Sequence, residues 1–309
     1  MPLGRVVPRR AAGAVADALA DTRVVLVVGA RQCGKSTLVR VVAHHRGAEW
    51  RNLDGAVTRQ AAAADSSGFV AFPGLMVIDE IQRVPELLLA IKEEVDNDPW
   101  PGRYLLTGSA RVLGLRALPD VLPGRTETIE LWPFSQGEID GGEDGFVDAV
   151  FADGCTPTFA SSVSRREYAE RIVRGGFPEA VARTNPNRRE RFFDSYVGDL
   201  VARDVSQLSE IERPAQLRAL LRLLAARSGQ LLVGNALSND LNLAARSVHR
   251  YLGLLEEVFL IKRVPAWSRK LSTRAIGTPK IAFVDSGVAA NLLTSMRGAY
   301  CGRAPRSAT

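Results

Sequence analysis

The chain of 309 residues has little cysteine. Cys33, Cys155 and Cys301 are odd in number, far apart and without CxxC spacing. That pattern indicates neither a disulfide framework nor a zinc site, and it fits a reducing compartment. The three histidines, His44, His45 and His249, do not stand at ligand spacing from them. Long apolar runs are also missing, since none approaches the roughly 18 residues a membrane helix needs. Asp17 and Asp21 interrupt the basic N-terminus where a signal-peptide core would lie. The chain therefore reads as cytoplasmic, with no membrane partner. Aromatics make up 6% against 46% hydrophobic residues overall, so the core must be mainly aliphatic. Lysine is scarce, with Lys35, Lys92, Lys262, Lys270 and Lys280 against 35 arginines. A lysine inside a motif therefore carries weight. The net charge of +6 permits a nucleic-acid partner without requiring one.

Length and composition suit about two globular domains with cores that need no disulfide or metal. Aliphatic strands at Val24–Val28, Glu49–Asp54, Leu75–Asp79, Arg103–Thr107 and Thr126–Leu131 alternate with helices at 36–44, 57–64 and 85–95. A helix at 11–20 precedes them. This pattern predicts an α/β fold with a parallel sheet covered on both faces. Composition shifts near Trp132, and Gly137–Thr156 reads as a loop or linker. From Glu167 to Glu257 the spacing is mainly helical, with long segments at 187–208 and 214–227.

Gly29–Ser36 matches G-x-x-x-x-G-K-[ST], between a strand and a helix. Successive N–H groups in such a loop converge on an anion, and the helix dipole adds to the attraction. Gly29, Ala30, Arg31, Gln32, Cys33, Gly34, Lys35, Ser36 and Thr37 are thus the candidate phosphate cradle. Lys35 would reach the β- and γ-phosphates, and Ser36 would be a ligand of Mg²⁺. Arg31 either touches phosphate or points to solvent, and Cys33 is expected to pack. LMVIDE then ends a hydrophobic strand in two carboxylates. Asp79 suits the metal's shell, and Glu80 suits deprotonation of an attacking water. In YLLTGSAR, Ser109 or Thr107 is a candidate γ-phosphate sensor. Arg125, before the next strand, is a candidate arginine finger completing a neighbouring subunit's site, with Arg103 and Arg111 as rivals. ATP and Mg²⁺ are the expected ligands, and a homo-oligomer is compatible.

Taken with LPGRTETIELWPFS, GGFPEAV, YVGDLVARDV and KIAFVDSGVAANLL, these motifs resemble the AAA-type ATPases of bacteria and archaea that carry a C-terminal domain of unassigned function. The resemblance spans nearly the whole chain. It implies a P-loop core with an extra strand and a catalytic glutamate between its nucleotide motifs. After the core it implies a winged helix and a restriction-endonuclease-like region. The expected organisation is a core at 1–135, a helical linker at 136–210, a winged helix-turn-helix at 211–275 and a shortened nuclease-like remnant at 276–309. No nuclease activity is expected.

Within 231–264, helices at 235–241 and 245–256 followed by a strand at 258–264 fit a winged helix-turn-helix. Val248, Leu252 and Leu255 would face the core, leaving Arg246, Ser247, His249 and Arg250 outward, where a recognition helix meets duplex DNA. WSRKLSTR (267–274) would form a basic wing. Such modules also serve protein partners. The leading expectation is an ATP-hydrolysing switch. The alternatives are a DNA- or protein-binding regulator using nucleotide structurally, and a P-loop kinase.

Overall fold

The computed structural model describes residues 6–44, 46–109, 122–142, 145–152, 162–205, 214–270 and 277–301. His45, Arg111, Cys155 and half of the expected wing (271–274) lie outside them. The chain divides into two compact units. One comprises 6–133 with 257–259, and the other holds 134–256 and 260–309 with the first five residues.

The first unit is a five-stranded sheet. Its strands are β1 (Val24–Gly29), β2 (Glu49–Asn52), β3 (Met76–Asp79), β4 (Tyr104–Gly108) and β5 (Thr126–Leu131). They run in the order β2-β3-β4-β1-β5. Every neighbouring pair is parallel. The extra strand, β4, is inserted between β1 and β3. Strand chemistry follows this order. The three inner strands are buried throughout, as a parallel sheet covered on both faces requires. The edge strands EWRN and TETIEL carry charge and partial exposure, which discourages pairing with other chains. Helices α1 (Ala11–Asp21), α2 (Lys35–Ala43), α3 (Ala56–Ala64), α4 (Ser66–Val70) and α5 (Leu87–Asn97) accompany the sheet. Gly29, Asp79 and Gly108 end three inner strands at one edge, so the residues that follow them gather there.

The second unit is mainly helical. Within Gly137–Thr156, expected as a loop or linker, lies the helix Phe146–Phe151, and the helix Gln136–Asp140 overlaps its start. The glycines and aspartates there obscured a capping box, in which Ser135 and Glu138 exchange side-chain and backbone hydrogen bonds. The helix Pro186–Asp199 passes into a π-helical segment, Leu200–Val205. The strand Lys280–Phe283 (β7), in the segment expected as a shortened nuclease-like remnant, pairs antiparallel with β6 (Ile261–Val264). The described residues of 136–210, 211–275 and 276–309, with 257–259 excepted, fall in this one unit. At its centre the helix Ser286–Cys301 packs against Arg165–Arg174, Pro186–Asp199 and Pro214–Ala226.

One buried carboxylate organises this unit. Asp285 accepts hydrogen bonds from the backbone N–H groups of Gly176 (2.6 Å) and Val288 (2.9 Å). Those of Gly287 and Phe177 also support it. It thus ties the start of the last helix to the GGF turn. Gly175 has φ +66°, and a Cβ there would come within 2.4 Å of the Asp285 carboxylate. The glycines of GGFPE and the aspartate of VDSG are parts of one joint.

Candidate nucleotide site

The loop after β1 bends because of its residues. Gly29 lies beside Leu131 of β5, and a Cβ there would come within 2.2 Å of the Leu131 carbonyl oxygen. Gln32 and Gly34 have φ +62° and +104°, and α2 begins immediately after Gly34. The turn is braced by Arg9, whose guanidinium donates to the carbonyls of Cys33 (3.0 Å) and Trp132 (2.5 Å). No sequence motif marked Arg9, because its role arises only from tertiary contact. Cys33 is fully buried, and its thiol donates to the Leu131 carbonyl at 3.4 Å. Burial pushes its pKa up, so it packs rather than reacts.

Lys35 is only 4% exposed. Its ammonium donates to the carbonyls of Gly29 (3.2 Å) and Ala30 (3.0 Å) within its own loop. An ammonium has three protons. Among the described residues no carboxylate pairs with it. A buried cation held by neutral acceptors alone calls for an anion. Ser36 donates from Oγ to Asp79 Oδ1 at 2.9 Å, joining the loop to the end of β3. Thr107 is fully buried, donates to the same oxygen and accepts the N–H of Glu80 at 3.0 Å. Both of these hydrogen bonds support the β3 terminus.

Glu80 has φ +61° and ψ +48°, a left-handed conformation that costs a non-glycine residue energy and often accompanies a functional constraint. Its Oε2 accepts hydrogen bonds from Ser109 Oγ and Gln82 Nε2. The Gln82 amide also donates to Ser109 Oγ at 2.9 Å. The sequence reading picked out Ser109 but missed Gln82. The 3₁₀ turn Ile81–Arg83 brings Gln82 back towards the strand ends. Thr37 and Gln32 are exposed and Arg31 half-buried.

The finger candidates separate clearly. Arg103 is buried and ion-paired with Asp98 and Glu94, which makes it a structural residue. Arg125 lies at the N-terminal end of β5, pairs with Asp96 at 2.5 Å and donates to the Pro123 carbonyl. Parallel pairing of β5 with β1 puts it at the opposite sheet edge from the phosphate loop, about 20 Å along the strands from the level of Gly29. It cannot serve the site of its own chain.

In the second unit, Arg246, His249 and Arg250 are exposed, Ser247 is half-buried, and Val248, Leu252 and Leu255 are buried. The helices Gly234–Leu241 and Ala245–Glu257 are joined through Asn242 at φ +49°.

Strand order, glycine loop, buried lysine and the Asp-Glu strand end define a P-loop nucleotide-binding fold. Residues 21–140 match the family described as AAA domain, and 165–297 match Domain of unknown function (DUF8612). The chain thus carries an AAA-type P-loop domain followed by a domain of unknown function. It is 28% identical over 287 residues to the uncharacterized protein Rv2008c of Mycobacterium tuberculosis. It is equally similar to Mb2031c of Mycobacterium bovis. These matches cover 92% of this chain and 59% of either relative. The Walker-type ATPase PABY2304 of Pyrococcus abyssi shares the fold, with a TM-score of 0.57 and 16% identity. That match covers 94% of this chain and 97% of the archaeal one. No helix among the described residues is long and apolar enough to cross a membrane.

Proposed function

We propose that the chain binds ATP with Mg²⁺ at the loop around Lys35 and hydrolyses it, and that the second unit reports the nucleotide state to a partner. The observation that carries this reading is the buried Lys35 ammonium, which lacks an acidic partner among the described residues and sits in a loop of glycine and positive-φ backbone. The donor set fits a metal triphosphate. Main-chain N–H groups of Ala30–Thr37 and the start of α2 suit the phosphates. Ser36 Oγ and the Asp79 carboxylate are hard oxygen donors suited to Mg²⁺ or its waters. The metal, when bound, neutralises phosphate charge. Lys35 holds phosphate oxygens in place, and Glu80 takes the proton of the attacking water. Asp79 and Glu80 together favour water over an acceptor hydroxyl as the nucleophile, so hydrolysis is preferred to a kinase reaction.

Glu80→Gln tests the chemistry. It should retain ATP affinity within about twofold and lose phosphate release by roughly 100-fold or more. Turnover at the wild-type rate would overturn the role of Glu80. Arg125, remote from its own Lys35, is assigned to the site of a second copy, where an arginine stabilises charge on the transferring phosphoryl group.

A second reading concerns the partner, and one observation favours it. The helix Ala245–Glu257 buries Val248, Leu252 and Leu255 while exposing Arg246, His249 and Arg250. With the helix before it and the β6–β7 pair after it, this order suits a winged helix on the phosphates and major groove of duplex DNA. Binding should weaken steeply with salt, and further in Arg246→Ala/Arg250→Ala. Duplex affinity unchanged by that double substitution would leave a protein partner as the reading.

A further inference from the structure

The Glu80 carboxylate is held unsymmetrically. Both donors that reach it, Ser109 Oγ and Gln82 Nε2, bond to Oε2. Oε1 accepts no hydrogen bond among the described residues. Gln82 Nε2 also donates to Ser109 Oγ, so the two donors brace each other. The backbone adds a third restraint, because Glu80 N–H donates to Thr107 Oγ1 while φ stays at +61°. The amide oxygen of Gln82 is buried without a hydrogen-bond partner. Reversing the amide would turn that oxygen towards a carboxylate, so the orientation follows from charge. A buried amide keeping one oxygen unsatisfied in order to donate twice is a costly arrangement for packing alone.

We propose that Gln82 is a positioning residue for Glu80: with Ser109 it anchors Oε2 and leaves Oε1 as the oxygen that accepts the proton of water. This rests on the reading of Glu80 as the base. Gln82 touches neither water nor phosphate in this scheme; it acts through the carboxylate. Ser109 has two competing uses, to hold Glu80 or to meet a phosphate oxygen. Gln82 keeps Glu80 tethered whichever use prevails.

The test compares steady-state ATP hydrolysis over a pH series for wild type, Glu80→Gln, Gln82→Met and Gln82→Glu. Affinity for a fluorescent ATP analogue and thermal melting are measured beside it. Gln82→Met keeps the length and removes both donors. It should lower kcat about 10- to 100-fold, with KM and analogue affinity within twofold of wild type. Gln82→Glu is isosteric and sets a second carboxylate against Glu80. The pair would share a proton, and the acid limb of the pH–rate profile would move to higher pH. Wild-type kcat in Gln82→Met and an unmoved acid limb in Gln82→Glu, beside an inactive Glu80→Gln, would overturn the role of Gln82 and leave the base in place. Full activity in Glu80→Gln would remove the base and the inference with it. If Gln82→Met melts early, the pH limb of Gln82→Glu still decides.

Discussion

Lys35, Asp79 and Thr107 show how few side chains define this site. All three are buried, and each is held by groups within a few residues of the strand ends. Removing the ammonium with Lys35→Ala should cost about 1.5–3 kcal/mol of ATP binding, the scale of a charge-assisted hydrogen bond. That corresponds to a roughly 10- to 100-fold weaker Kd by calorimetry. Gly29 is constrained differently. Gly29→Ala would drive a Cβ into the Leu131 carbonyl and should destabilise the first unit by about 1–3 kcal/mol, read by chemical denaturation. A variant as stable as wild type would contradict the close approach of loop and β5. Cys33 carries a pH expectation. Burial raises its pKa, and the nearby charges of Lys35 and Arg9 only partly oppose this. The folded thiol therefore stays protonated above the ordinary thiol range, while the unfolded thiol ionises first, so stability falls as pH rises through that window. Mapping by mass spectrometry should find Cys33 unalkylated in native protein at pH 9 and alkylated after denaturation.

Among the elements, the β1–loop–α2 unit was the most legible from sequence. Five aliphatics, two glycines and a lysine obey local rules, and the structure starts α2 at Lys35, one residue before the expected Ser36. The LMVIDE strand was legible for the same reason. Its support was not: Thr107, Arg9 and Gln82 act across 24 to 123 residues of chain or around a turn, and no periodicity announces that. The helices within 136–151 were hidden by Gly and Asp, although the capping pair Ser135 and Glu138 was there to be read. The distant contacts of KIAFVDSG were not legible. As a sequence it looks like the start of a domain. In space its strand pairs with β6, and its aspartate locks the GGF turn to the last helix. Asp285→Ala should leave buried N–H groups of Gly176 and Val288 unpaired, at about 1–3 kcal/mol each. Thermal denaturation should show a clear loss of stability; an unchanged melting temperature would refute this account of the joint.

For the whole molecule, the opposed sheet edges matter most. Lys35 and Glu80 follow strand C-termini, whereas Arg125 precedes β5. If Arg125 works on a second copy, Arg125→Ala should keep nucleotide affinity yet lose turnover by roughly 10³-fold. Wild-type activity per chain should also rise with protein concentration. Activity independent of concentration, with Arg125→Ala fully active, would remove any role in a neighbouring site.

The most direct measurement is equilibrium binding of ATP in magnesium buffer to folded wild-type protein and to Lys35→Ala. The account predicts saturable binding by wild type, weakened at least tenfold by the substitution. Folded wild-type protein with no measurable affinity for ATP, or equal affinity in the two proteins, would contradict it.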